Sequence, residues 1–383
     1  MTHAFALVPL WDRAAEWERR LTMIATARSF LYLTTFYLEY DAYGIELLAA
    51  LRAAQQRGVA VVLVVDAFGQ RLGGVLMSRD QRVALAGELQ LLRDGGAGVH
   101  VYAPPHWTQR LLGGGQHVKI QVSDGGEAIF GSSNLTKSSF AGWNEYAVAV
   151  RGPVAAVLLA SVRVLGGPVS AEHLAALERV SLKDAADLAL DYWVCNPNLE
   201  QGWRGPLRWA GANEVTERMI EMLDAARTSA RITSFYFKPV PRLLDAVLRA
   251  AARGLHVEVF HSHRDALPAT DLAWIAAASC YPALLDAGVA IYENRRGEHS
   301  KLVVVDDAWA AFGSYNFEDA AHDRLAEAML ASRDPRAVTP LLAIFAALRV
   351  DPDNERVTAA ACAAWPARVR TRVSRYGRFK WWM

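Results

Sequence analysis

Apolar residues recur along this chain with the two spacings that distinguish helices from strands. Trp17, Leu21 and Ile24 fall on one face of a helix, whereas residues 59–65 form a continuous apolar, β-branched run, as in a strand buried on both faces. These criteria predict four elements in the first part of the chain: a helix over 14–27, a strand over 30–37, a helix over 44–57 and a strand over 59–65. The order helix, strand, helix, strand predicts an α/β sheet.

The second part of the chain repeats this order. It predicts a helix over 214–226, a strand over 230–237, a helix over 242–253 and a strand over 255–261. Arg57 and Gly58 at the end of one helix match Arg253 and Gly254 at the end of its counterpart, where glycine suits a left-handed cap. We therefore predict two pseudo-twofold related α/β/α repeats, each with a mixed, mostly parallel sheet flanked by helices.

The segment between the repeats carries turn residues rather than sustained periodicity. Predicted helices over 153–166 and 170–180 are followed by Asn196-Pro197-Asn198 and by glycines at 202 and 205. We place the boundary there, which predicts three units: an N-terminal repeat over 1–200, a C-terminal repeat over 201–367 and a basic, aromatic tail over 368–383.

A polar motif is also present twice. His117, Lys119 and Asp124 recur 182 residues later with the same spacing, and the offset also relates Gly131 to Gly313. Other residues related by it are Ser132 and Ser314, Asn134 and Asn316, and Glu145 and Glu327. The chain has only six lysines against 35 arginines, so chance poorly explains lysines at matching places in both copies.

Each copy predicts a strand, a short turn and a second strand. Side chains alternate between the faces of a strand, so each histidine projects with the lysine two residues later. The aspartate lies an odd number of residues from its histidine, and points to the other face or lies in the turn. An imidazole beside an ammonium group suits an anionic substrate such as a phosphate, because the lysine neutralises charge and helps keep the histidine neutral.

The residues that follow each copy can complete such a site. The Gly-Ser-x-Asn segments offer hydroxyl, amide and backbone donors to the same anion, and the later glutamates can fix the tautomer of an imidazole. The alternative is that each histidine is an ordinary hydrogen-bonded strand residue and each lysine a solvated one. Two copies in register favour the catalytic interpretation.

The complete pattern resembles the phospholipase D superfamily, whose signature is His-x-Lys-x-x-x-x-Asp, six further residues and Gly-Ser-x-Asn. The resemblance implies a phospholipase D-like fold and a two-step phosphodiester exchange without a metal or other cofactor. One histidine attacks phosphorus, while the other protonates the leaving alkoxide and then activates water or an alcohol. The predicted catalytic residues are His117, Lys119, Asp124, Glu145, His299, Lys301, Asp306 and Glu327, and the predicted phosphate-binding residues are Ser132, Asn134, Ser314 and Asn316.

Sequence outside the motif narrows the resemblance. The segments 37–39, 62–69 and 236–239 look like the shorter bacterial cardiolipin synthases, which implies transfer of a phosphatidyl group from a phospholipid to an alcohol. We assign His117 as nucleophile and His299 as acid and base. The alternatives are a hydrolytic phospholipase D, phosphodiesterase or nuclease with the same residues, and a non-enzymatic membrane-binding scaffold, against which two intact motifs argue. Glu298 departs from the family pattern, and we expect this acid to raise the pKa of His299.

Composition limits the partners and the compartment. With 52% hydrophobic and 21% charged residues, the chain has enough core for two domains, whereas a net charge of +1 makes nucleic acid an unlikely partner. Three scattered cysteines argue against a disulfide framework or a zinc site, which favours a reducing cytoplasm. The N-terminus is too short and too soon charged for a secretory signal, and no apolar run is long enough to span a membrane. Both half-sites lie in one chain, so we expect a functional monomer.

Two segments suggest contact with a membrane. The first half has an insertion over 103–115, with Trp107 and three consecutive glycines, which we interpret as a mobile, membrane-facing flap; an inert surface loop is the alternative. The tail over 368–383 has six cations, four aromatic residues and no acid, which suits the headgroup layer of an anionic bilayer. A packed or disordered terminus, or nucleic-acid contact, would explain it too. These features place the protein at the inner face of the cell membrane.

Overall fold

A computed structural model describes residues 1–181, 186–199, 213–267 and 270–376. The strands of these residues, in chain order, are β1 (Thr2–Ala4), β2 (Ala6–Leu10), β3 (Phe30–Thr35), β4 (Ala60–Asp66), β5 (Gly98–Tyr102), β6 (Gly115–Gln116), β7 (Lys119–Ser123), β8 (Glu127–Gly131), β9 (Ala147–Arg151), β10 (Leu188–Cys195), β11 (Ser229–Ser234), β12 (Phe237–Lys238), β13 (His256–Ser262), β14 (Ala290–Asn294), β15 (Leu302–Val305), β16 (Trp309–Gly313), β17 (Phe317–Glu318), β18 (Leu325–Ser332) and β19 (Asn354–Val357).

The helices, in chain order, are α1 (Arg13–Thr26), α2 (Ala42–Gln56), α3 (Ala67–Leu76), α4 (Arg79–Asp94), α5 (Trp107–Leu111), α6 (Lys137–Ala141), α7 (Pro153–Ser161), α8 (Ala171–Ser181), α9 (Glu214–Ala225), α10 (Pro241–Ala252), α11 (Leu272–Ala278), α12 (Tyr281–Asp286), α13 (Asp319–Asp323), α14 (Pro335–Val350), α15 (Ala359–Ala363) and α16 (Ala367–Tyr376). The eight helices and strands that periodicity predicts at the start of the two repeats are all present, with ends within three residues of those predicted. Periodicity does not predict β1, β2 or β10.

The first sheet has the strand order β2-β9-β8-β7-β3-β4-β5. Strands β3, β4 and β5 are parallel, because helices connect them. Strands β7, β8 and β9 follow one another closely in the chain and pair antiparallel, as do β3 with β7 and β2 with β9. The predicted mixed α/β sheet is therefore confirmed, but the predicted majority of parallel pairs holds only for the part built from β3, β4 and β5.

The second sheet repeats this order as β18-β16-β15-β11-β13-β14, which confirms the predicted pair of related α/β repeats. Strands β10 and β1 extend it beyond β18, and β19 extends its other edge. The predicted boundary near residue 200 lies outside the described residues. On its N-terminal side, β1 pairs with β10 and β10 with β18, so the N-terminal stretch contributes strands to the second sheet.

The two repeats share an apolar core. One cluster of buried side chains includes Phe130 and Val148 of the first sheet and Phe312 and Leu330 of the second. The rings of Tyr146 and Phe312 lie 5.5 Å apart, edge to face. The strands that carry the two copies of the motif are therefore packed against each other.

The described part of the tail is a helix on the second repeat. Val369 of α16 is buried in the apolar cluster of that repeat, and the guanidinium of Arg372 pairs with Asp271 at 2.7 Å. The predicted aromatic end of the tail, from residue 377 onward, lies outside the described residues. In the described part of the chain no helix combines the length and apolarity needed to cross a membrane.

Candidate active site

Backbone pairing between the repeats positions both histidines. Strand β6 pairs in parallel with the start of β18, and the backbone N–H of His117 donates to the carbonyl of Ala326 at 2.8 Å. The backbone N–H of His299 likewise donates to the carbonyl of Asn144 at 2.8 Å. The residues that follow these two acceptors are Glu327 and Glu145, so the pairing delivers a carboxylate to each imidazole.

The carboxylates cross between the repeats. Nδ1 of His117 lies 3.0 Å from Oε1 of Glu327, and Nδ1 of His299 lies 2.9 Å from Oε1 of Glu145. All four side chains are buried. Each histidine is thus supported by the glutamate of the other repeat, and neither repeat contains a complete half-site.

A backbone carbonyl fixes the tautomer of His117. Its Nδ1 also lies 3.1 Å from the carbonyl oxygen of Ser314. A carbonyl oxygen can only accept, so Nδ1 carries the proton and Nε2 keeps its lone pair.

The serines of the motif hold the glutamates. Ser132 Oγ donates to Oε2 of Glu145 at 2.5 Å, and Ser314 Oγ donates to Glu327. A hydroxyl has a single proton, so neither serine has one left for a phosphate while these bonds persist. Their contacts place the predicted phosphate-binding serines behind the histidines as positioning groups.

The two asparagines of the motif differ in their surroundings. Asn316 accepts from the backbone N–H of Phe235 at 3.2 Å and donates to Glu318 at 3.0 Å, so its carboxamide is engaged. Oδ1 of Asn134 is buried and has no hydrogen-bond partner among the described residues. Asn134 is therefore the freer of the two for an added ligand.

Two lysines are buried next to the histidines. Lys119 Nζ donates to the carbonyl of His117 at 2.6 Å, and Lys301 Nζ donates to the carbonyl of His299. Burial, together with the charge of Lys301, lowers the pKa of Lys119 well below its usual value, and burial lowers the pKa of Lys301 to about 8. Two ammonium groups forced together in a buried site favour a bound anion, whose charge offsets their repulsion and desolvation.

The imidazoles are held mainly neutral. Burial, and then the charges of Lys119 and Lys301, lower the pKa of His117 well below 6.5. Burial also lowers the pKa of His299, to about 4, although Glu145 opposes the shift. The expectation that Glu298 raises the pKa of His299 is therefore wrong. Its carboxylate, fully buried, instead accepts from Ser300 and, at 3.2 Å, from the Asn144 amide.

The two glutamates are not equivalent. Burial opposes ionisation of Glu145, but the charges of His299 and Lys301 and the Ser132 hydroxyl outweigh it and lower its pKa to about 2. Burial dominates at Glu327 and raises its pKa well above the usual value. A sequence difference accompanies this asymmetry. Ser139 Oγ donates to Glu145 Oε1 at 2.7 Å, whereas residue 321, at the matching place in the second repeat, is alanine.

The structure does not bring the predicted catalytic aspartates to the histidines. The Asp124 carboxylate accepts from the backbone N–H groups of Arg28 and Ser29 and from the Ser29 hydroxyl, at 2.8–3.1 Å. Asp306 accepts in the same way from the backbone at 227–229. Both therefore tie the turn after the motif strand to the loop that precedes the central strand of their sheet.

Aromatic side chains that lie outside the repeated motif enclose the imidazoles. The ring of Phe36 contacts His117 edge to face at 4.8 Å, and Phe235 contacts His299 at 4.5 Å. Trp143 stacks on His299 at 4.8 Å. Phe36 and Phe235 lie in matching Phe-Tyr pairs at the ends of β3 and β11, a repeat visible in the sequence that could have identified them. Trp143 has no aromatic counterpart in the second repeat and gives no such signal.

Metal-binding side chains do not cluster in the described residues: no three His, Cys, Asp or Glu groups converge there in a way that could hold an ion. The groups that converge at the site are two imidazoles, two lysine amino groups and two carboxyl groups. This set can bind a phosphate and move protons to and from its oxygen substituents.

Comparisons with known proteins agree with this site. A family model for the cardiolipin synthase, PLD-like domain matches residues 21–162 and 219–349, which contain both copies of the motif. Cardiolipin synthase B of Salmonella typhi is 31% identical over 313 residues, which cover 77% of this chain and 68% of that protein. Cardiolipin synthase B of Escherichia coli K12 is 28% identical over 313 residues, with the same coverage of 77% and 68%.

Solved structures show the same fold. Phosphatidylserine synthase of Haemophilus influenzae Rd KW20 matches with a TM-score of 0.74 at 15% identity, covering 100% of this chain and 97% of that one. Polyphosphate kinase of Porphyromonas gingivalis matches with a TM-score of 0.58 at 13% identity, covering 98% of this chain and 53% of that one. The predicted resemblance is confirmed, and the chain belongs to the family of cardiolipin synthases with a phospholipase D-like domain.

Proposed function

We propose that this protein is a phosphatidyltransferase of the cardiolipin synthase type. It moves a phosphatidyl group from a phospholipid to an alcohol through a phosphohistidine. The observation that carries the proposal is the crossed pair of histidines and glutamates around two buried lysines. Family membership and the names of the relatives support a phospholipid as the donor.

His117 is the nucleophile in this proposal. Its Nδ1–H points to the Ser314 carbonyl, which leaves the Nε2 lone pair for phosphorus. Nε2 forms a bond to phosphorus as the bond from phosphorus to the leaving oxygen breaks. Lys119 and Lys301 offset the charge that develops on the other phosphate oxygens.

His299 is the acid and base. Ionised Glu145 favours the imidazolium of His299, and the face of Trp143 stabilises a cation in the same place. His299 gives its proton to the leaving alkoxide in the first step. In the second step it takes a proton from the incoming alcohol, whose oxygen attacks phosphorus and releases His117.

In this proposal, Asp124 and Asp306 stabilise the fold and take no part in the reaction. Ser132 and Ser314 position the glutamates. The chain works as a monomer with no metal or other cofactor and without nucleic acid, at the inner face of the cell membrane. Both half-sites in one chain support the first of these statements.

Purified protein incubated with labelled phosphatidylglycerol, with and without glycerol, tests the function. Labelled cardiolipin is the expected product, and glycerol should reduce it by reversing the transfer. His117→Ala and His299→Ala should each abolish it. Phosphatidic acid as the sole product would make the protein a hydrolase, and cleavage of single-stranded DNA in a parallel reaction would make it a nuclease. Turnover in the double alanine variant would overturn the proposed site.

A further inference from the structure

Helix α3 packs against the rest of the protein through two glycines. Gly69 and Gly73 face the protein, where a Cβ on either would lie within 2.7 Å of Phe36 or Tyr37. The opposite face carries Phe68, Arg71, Leu72 and Val75, at the i, i+3, i+4 and i+7 spacing of one helical stripe. Leu72 is 46% exposed and Val75 71% exposed. The helix thus buries Gly69 and Gly73 and presents Leu72 and Val75 to solvent, while Phe68 is half-buried.

Helix α5 extends this surface. Trp107 and Leu111 lie one turn apart and are 71% and 72% exposed, with Arg110 beside them. The Arg71 guanidinium donates to the carbonyl of Arg110 at 3.2 Å, which joins the two helices. A cavity of about 470 Å³ lies between them, lined by Phe68, Arg71, Val101, Pro104, Arg110 and Gly114 among others. We call Phe68, Arg71, Leu72, Val75, Trp107, Arg110 and Leu111 the α3–α5 surface.

The charged residues of the α3–α5 surface are two arginines, Arg71 and Arg110, and both are exposed. Residues 67–79 and 101–123 contain no aspartate or glutamate. The neighbouring acid Asp66, whose charge interacts with that of Arg71, is fully buried. Exposed tryptophan and leucine interleaved with arginine match the interface of an anionic bilayer, where indole and alkyl groups enter the headgroup layer and guanidinium groups meet lipid phosphates.

The α3–α5 surface is continuous with the active site. The ring of Phe68 lies 6.3 Å from that of Phe36, which in turn contacts the imidazole of His117 at 4.8 Å. The glycines that follow α5 lead into β6, which ends one residue before His117. A lipid held at the cavity would therefore lie one aromatic layer away from the nucleophile.

We infer that the α3–α5 surface is where the protein docks onto an anionic phospholipid bilayer, which presents lipid to the first half of the active site. The inference rests on the proposed function for the identity of the lipid as substrate, but binding can be measured without turnover. It also gives the predicted membrane contact of the 103–115 insertion a defined set of residues.

Cosedimentation with vesicles tests the surface. The double variant Trp107→Asp, Leu111→Asp should lose about tenfold or more in partition onto vesicles that contain phosphatidylglycerol, because it replaces inserted apolar groups with charge of the same sign as the lipid. Arg71→Gln should lose about fivefold on these vesicles, and nothing on phosphatidylcholine alone. Leu91→Asp, Val350→Asp is the matched control, since both residues are exposed apolar side chains of other helices, and it should bind like the wild type.

Two further measurements separate docking from catalysis and from folding. The inactive His117→Ala protein should bind vesicles like the wild type. The Trp107, Leu111 variant should keep wild-type turnover of a short-chain, monomeric phospholipid while losing turnover on vesicles. Equal binding by this variant and the wild type would overturn the inference, as would equal loss on both substrates. A wild-type dimer that the variant dissolves, with vesicle binding unchanged, would assign the surface to a second copy instead. Normal binding without any lipid turnover would refute the proposed function alone.

Discussion

Replacing Glu145 with glutamine tests whether the glutamate of one repeat supports the histidine of the other. The substitution keeps the size and shape of the side chain but removes the charge 2.9 Å from Nδ1 of His299. An opposite charge within about 4–6 Å shifts a pKa by roughly one to three units, so we expect the loss of this charge to lower the pKa of His299 by about one to two units.

This shift has a defined kinetic consequence. The pKa of His299 is about 4, so at neutral pH the protonated fraction falls about tenfold for each unit by which that pKa is lowered. A reaction whose leaving alkoxide needs that proton should slow about tenfold to a hundredfold. Glu327→Gln should cost less in this step, because Nδ1 of His117 keeps the Ser314 carbonyl 3.1 Å away and its tautomer with it.

A pair of substrates gives the assay its specificity. Turnover of an alkyl phosphodiester should show the full loss in Glu145→Gln. A p-nitrophenyl phosphodiester, whose leaving group departs without a proton, should still give a rapid burst of nitrophenolate of about one equivalent per enzyme, followed by a slow steady state. Equal losses in the first turnover for both leaving groups would refute the assignment of His299 as the acid. A larger loss in Glu327→Gln than in Glu145→Gln would reverse the roles of the two histidines.

Three further perturbations probe the charge, the turn and the packing of the site. Raising the pH through about 8 removes the proton of Lys301, so kcat/KM for an anionic substrate should fall there, and a pH–rate profile of Lys301→Arg should show this limb moved to higher pH. Asp124→Asn should lower the free energy of unfolding in urea by about 1–2 kcal/mol and leave kcat unchanged, because the Asp124 carboxylate binds backbone N–H groups away from the histidines. A large loss of kcat in the folded variant would instead show that Asp124 takes part in catalysis. Gly69→Ala should destabilise the protein by about 1–3 kcal/mol, because the added Cβ would lie 2.2 Å from the carbonyl oxygen of Phe36. Gly87→Ala is the control and should not destabilise it, because a Cβ there meets open space. Equal Tm values for the two variants would contradict the packing of α3.

Much of the fold was predictable because it depends on local spacing. The apolar periods of α1, β3, α2 and β4, and of their counterparts in the second repeat, arise from helix and strand geometry and need no partner to be recognised. Strands β1 and β10 escaped prediction because their place is set by an edge of the second sheet, to which they add from the N-terminal stretch. Likewise, whether neighbouring strands run parallel depends on how they are connected. The strands that are joined by short turns here, such as β7 with β8 and β15 with β16, pair antiparallel.

The features of the candidate site also fall into those that the sequence identified and those that only the tertiary structure decided. Repetition in the sequence identified His117, His299, their lysines and both glutamates, since the same side chains recur with one offset. Only packing of one repeat on the other decided that Glu327 supports His117 and Glu145 supports His299. These pairs are 210 and 154 positions apart in the chain, and they meet only through the pairing of β6 with β18 and the bridge between Asn144 and Glu298. The outward apolar face of α3 also appears only in the tertiary structure, because a helix with glycines on one side looks amphipathic whichever side it buries.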